Sequence, residues 1–75
     1  MSKIEVKDRR FVFNEPVEFD DIYEDTVRLI IDMYPKTADL IDAMSDQSFD
    51  ALCIDFREFI IELAKEQGKY IEVER

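Results

Sequence analysis

The sequence predicts an α+β fold in which three helices pack with a small antiparallel sheet built from the N- and C-terminal segments. Three observations lead there. Polarity alternates along Ile4–Val6, less cleanly along Arg10–Phe13, and again along Tyr70–Glu74, the period of a half-buried strand. Between these ends, apolar residues recur at three-and-four spacing, the period of one helix face. Pro35 and the polar stretch Ser45-Asp46-Gln47-Ser48 cut that helical region into three. The alternative reading is a three-helix bundle with extended tails. Either way the 75 residues make one domain (residues 1–75) with a thin core.

In chain order, Lys7-Asp8-Arg9 turns the first two strands into a hairpin, although it lacks the Gly or Asn that tight hairpins favour. Asn14-Glu15-Pro16 ends the strand, and Pro16 suits a first helical turn. The first helix then presents Phe19, Ile22, Tyr23, Thr26, Val27, Ile30, Met33 and Tyr34 as its inner face. Asp20, Asp21, Glu24, Asp25, Arg28 and Asp32 fall on the other side, with Glu24 and Arg28 spaced as a favourable pair. Pro35 stops this helix.

Thr37 is placed to cap a short second helix carrying Ala38, Leu40, Ile41 and Met44, and Asp46 or Ser48 to cap a long third one. The third presents Phe49, Leu52, Cys53, Phe56, Ile60, Leu63 and Ala64, widened by Phe59 and Ile61. Gly68, the only glycine, marks its left-handed end.

Much chemistry is excluded by residue type. There is no histidine for proton transfer near neutral pH and no Gly-rich phosphate cradle. The lone cysteine, Cys53, lies on an apolar stripe, where a thiol is an inert small hydrophobe. With neither His nor several Cys, no transition-metal site is expected, and Asp46 to Asp50 lacks the glycine and distal Glu of a calcium loop. No cofactor and no catalysis are therefore expected. A single cysteine and a charged N-terminus without an apolar leader point to a reducing, cytoplasmic setting. No apolar run is long enough to span a membrane.

Charge is the outlying property. The net charge is -9, and residues 14–62 hold fourteen of the nineteen acids but only three of the ten bases. Nucleic acid and anionic membranes are poor partners for such a chain. The pattern instead points to a non-catalytic binding module. Its acidic helical surface (Asp20, Asp21, Glu24, Asp25, Asp32, Asp39, Asp42, Asp46) would dock on a basic surface of a protein partner. One version is an inhibitor that competes with nucleic acid, of the kind phages and mobile elements carry. The alternative is an adaptor, assembly chaperone or complex subunit that binds, or self-associates, through an apolar face (Phe59, Ile61, Tyr70) or an exposed strand.

Overall fold

The chain was analysed as a computed structural model that describes residues 3–73. Strands β1 (Ile4–Lys7) and β2 (Arg10–Phe13) pair antiparallel, with Ile4 opposite Phe13 and Val6 opposite Phe11. Because side chains alternate, this register sends Ile4, Val6, Phe11 and Phe13 to one face, where Ile4, Phe11 and Phe13 are buried. Glu5, Lys7, Arg10 and Val12 take the other face. The turn residues Asp8 and Arg9 both adopt positive φ, 51° and 61°. That is the twist a two-residue hairpin requires, reached here without glycine.

Residues 14–18 run on as extended chain to α1 (Phe19–Met33), so Pro16 lies ahead of the helix rather than in its first turn. A reciprocal cap starts α1: the Glu18 N–H donates to Asp21 Oδ2 at 3.0 Å. The inner face of α1 is Ile22, Thr26, Leu29 and Ile30. This is a correction, since Phe19, Tyr23, Val27 and Tyr34 are exposed. Periodicity gives the stripe, but the docking partners decide its centre, and here they rotate it toward Leu29. Thr26 is the one polar residue in the core, and its hydroxyl donates to the Ile22 carbonyl at 2.7 Å.

Helix α2 (Thr37–Ala43) begins at Thr37 itself, whose hydroxyl donates back to the Tyr34 carbonyl; Lys36 is the N-cap. It buries no residue fully. Helix α3 (Asp46–Glu66) is capped by Ser45, whose Oγ accepts from the Ser48 N–H at 3.2 Å, so neither Asp46 nor Ser48 is the cap. Cys53, Phe56, Ile60 and Ala64 are its buried stripe. Gly68 ends it at φ 68°, with Gly68 N–H on the Lys65 carbonyl and Lys69 N–H on the Ala64 carbonyl. These two bonds satisfy carbonyls that a helix end leaves open.

The architecture is thus α+β, with α1 and α3 packed together under the hairpin and around one apolar cluster. The expected C-terminal strand takes another form. Tyr70 makes a single parallel bridge to Val17, through Val17 N–H to the Lys69 carbonyl and Ile71 N–H to the Val17 carbonyl, both 2.7 Å. Among the described residues the sheet is the N-terminal hairpin alone, because the end of α3 delivers the chain to the start of α1 rather than to β1. Glu74 lies outside the described residues.

Candidate functional site

The acids singled out from the sequence separate into two groups. Asp21, Asp25 and Asp32 share the side of α1 nearest the hairpin and are paired. Lys3 Nζ lies 3.2 Å from Asp21, and Arg28 reaches Asp25 at 3.0 Å and Asp32 at 3.1 Å. Arg28 also donates to the Ile4 carbonyl at 3.0 Å, which fixes its direction. The pairing of Glu24 with Arg28 expected from spacing is therefore replaced by Asp25 and Asp32. The Glu18 N–H and then Lys3 hold the Asp21 carboxyl below its ordinary range.

Glu24, Asp39, Asp42 and Asp46 are exposed, and among the described residues they have no ion-pair or hydrogen-bond partner. Asp20 is exposed beside a hollow of about 320 Å³ that Phe19 and Tyr70 also line. Four further acids, Asp55, Glu58, Glu62 and Glu66, form one exposed row on α3 at three-and-four spacing. Among the described residues only Glu62 of these has an ion-pair partner, Lys65 at 3.9 Å, which is itself shared with Glu72 at 3.7 Å. Glu58, Glu62 and Glu66 stand four apart in the sequence, so they are like-charged neighbours on one helix face. Their orientation away from the core became visible only once the hairpin and α1 were in place.

Asp46 to Asp50 form the first turn of α3, not a loop. Among the described residues, no three carboxylate or thiol side chains come together as a metal site requires. Cys53 is a buried free thiol.

The apolar candidates do not form one patch. Phe59 and Ile61, two residues apart, lie about 200° apart around the helix axis. Ile61 packs against the core, as does Tyr70, over whose ring Lys65 Nζ sits at 5.7 Å. Phe59 is 51% exposed, held edge-on against Phe11 with ring centres 6.3 Å apart.

Phe59 also lines a groove that sequence reasoning missed. Two adjoining hollows, of about 490 Å³ and 340 Å³, share Arg9, Met33 and Tyr34. Lys36 borders the first, and Arg10 and Phe59 border the second. The cations come from the hairpin turn (Arg9), the start of β2 (Arg10) and the α1–α2 connection (Lys36), segments distant in sequence. The one advance signal was the basic excess of residues 1–13.

No helix among the described residues is long and apolar enough to cross a membrane. Compared with protein-family models, curated proteins and solved structures, the chain gives no match.

Proposed function

We propose that this chain is a non-catalytic protein-binding module that docks through its acidic helical surface on a basic surface of a protein partner, as an inhibitor competing with nucleic acid would. The supporting observation is the exposed row Asp55, Glu58, Glu62 and Glu66 on α3, which carries almost no compensating cation. Four residues of helix rise about 6 Å. The row therefore presents roughly half the linear charge of one DNA strand, which bears a phosphate every ~3.4 Å. Asp46 at the start of α3, with Glu24 on α1 and Asp39 and Asp42 on α2, extends the negative potential beyond that row. Like charges spaced four apart cost their helix a few tenths of a kcal/mol each. A partner's Lys and Arg would relieve that repulsion, speed the encounter and make it salt-dependent.

The test is capture of a partner by the immobilised chain at about 50 mM and about 300 mM salt, either side of the ~10 Å screening length of 0.1 M. A partner held at low salt and released at high salt is expected. It is also expected to be lost from the triple variant Glu58→Lys, Glu62→Lys, Glu66→Lys, whose circular dichroism stays that of the parent. Retention by that variant, or at high salt, would sink the reading.

A further inference from the structure

We infer that the groove between the hairpin turn, the end of α1 and α3 is a docking site for a short acidic segment of another protein, with an apolar side chain seated on Phe59 and carboxylates held by Arg9, Arg10 and Lys36. This goes beyond the acidic-face reading and does not rest on it.

Charge is the first argument. In a chain with nearly twice as many acids as bases, most described cations have a carboxylate or an aromatic ring against them. Four do not, Arg9, Arg10, Lys36 and Lys69, and the first three of these border the same groove. An acidic ligand completes what the chain's own carboxylates leave open.

Backbone conformation is the second. Arg9 sits at φ 61°, a left-handed conformation that glycine adopts freely and a side chain with a Cβ does not. The hairpin turn requires that conformation, which Asp8 shares, and it sets Arg9 at the rim of the groove.

The floor is the third. Phe59 and Tyr34 are 51% and 56% exposed. Phe59 is nonetheless braced by Phe11 and Phe56, so it offers a rigid apolar surface at small entropic cost.

Whole-molecule charge selects between occupants. A second copy of this chain would bring nine negative charges toward nine, whereas a short segment brings a few carboxylates to three cations.

The probe is a set of short synthetic peptides that share a central Leu-Phe pair and carry Glu, Gln or Lys on both flanks, titrated into the whole isotope-labelled chain and followed by amide shifts. The Glu peptide is expected to shift Arg9, Arg10, Tyr34 and Lys36. It should bind about tenfold more tightly than the Gln peptide, a factor equal to about 1.4 kcal/mol. Arg9→Gly should weaken the Glu peptide severalfold while raising Tm, which separates lost contact from lost fold. Phe59→Ala should weaken the Glu and Gln peptides alike. Equal affinity for Glu and Gln peptides, no binding of the Glu peptide, or unchanged binding by Arg9→Gly would overturn the assignment. So would groove shifts that appear on concentrating the chain alone, which would give the groove to a second copy.

Discussion

Helices α1 and α3 are both rich in carboxylates, yet the two differ in what surrounds them. On α1, Asp21, Asp25 and Asp32 lie against the hairpin, where Lys3 and Arg28 neutralise them and Arg28 ties the helix to the Ile4 carbonyl. On α3, Asp55, Glu58, Glu62 and Glu66 are exposed, and among the described residues only Lys65 pairs with any of them. Acid density along the chain is therefore a poor guide to surface potential. What matters is whether a second element brings cations to the same side. Asp21, Asp25 and Asp32 of α1 thus help to hold the fold, whereas the α3 row is left largely uncompensated.

Substitutions can break this contrast in three steps, beginning with the largest effect. Arg28→Ala removes the link between α1 and β1. It leaves the Ile4 carbonyl without its side-chain donor beside two unbalanced aspartates, and a loss of about 1–3 kcal/mol is expected by urea unfolding. A loss near zero would show the α1 pairs to be ornamental and remove the distinction between the helices.

Asp21→Asn probes the same helix more gently. It weakens the cap on Glu18 and the pair with Lys3, and about 1 kcal/mol should be lost. The pH dependence has a definite sign. The Asp21 carboxyl titrates lower folded than unfolded, so its contribution is complete above the unfolded value near 3.8 and disappears as pH falls through the lower folded value. The variant's stability should therefore converge on the parent's in acid, and parallel curves down to low pH would refute that role.

On α3 the expected sign reverses. Glu62→Gln relieves repulsion from both Glu58 and Glu66 and gives up only the distant Lys65, so a gain of a few tenths of a kcal/mol is expected, shrinking with added salt. Destabilisation there would mean that the α3 acids, like those of α1, hold the fold together.

How far the sequence foretold these features depended on the range of the physics involved. Local signals carried well: the stop at Pro35, the left-handed end at Gly68, the burial of Cys53 and the α3 stripe each depend on neighbours within a turn or two. The hairpin was readable from Ile4, Val6, Phe11 and Phe13 although its turn is atypical. Nonlocal features were out of reach. Spacing paired Arg28 with Glu24, but the Ile4 carbonyl on β1, a nonlocal partner, sets its direction. Tyr23 and Val27 fit the helical period as well as Leu29 does, and only the packed neighbours favour Leu29. The alternation along Tyr70–Glu74 resembled a strand, yet a pattern does not say which edge will receive it. The groove was invisible for the same reason, since its rim joins a turn, a helix end and the middle of α3.

The bridge between Val17 and Tyr70 has a consequence for cooperativity. Holding together residues so far apart in an open chain carries a closure entropy that grows with the logarithm of the intervening length, far above that of the tight hairpin. Once α1 and α3 have docked, most of that ordering has already been done, and the two 2.7 Å bonds close across a short remaining gap. The bridge therefore depends on the docked helix pair for its stability, and exchange protection at the amides of Val17 and Ile71 is expected to report on whether the whole domain is shut.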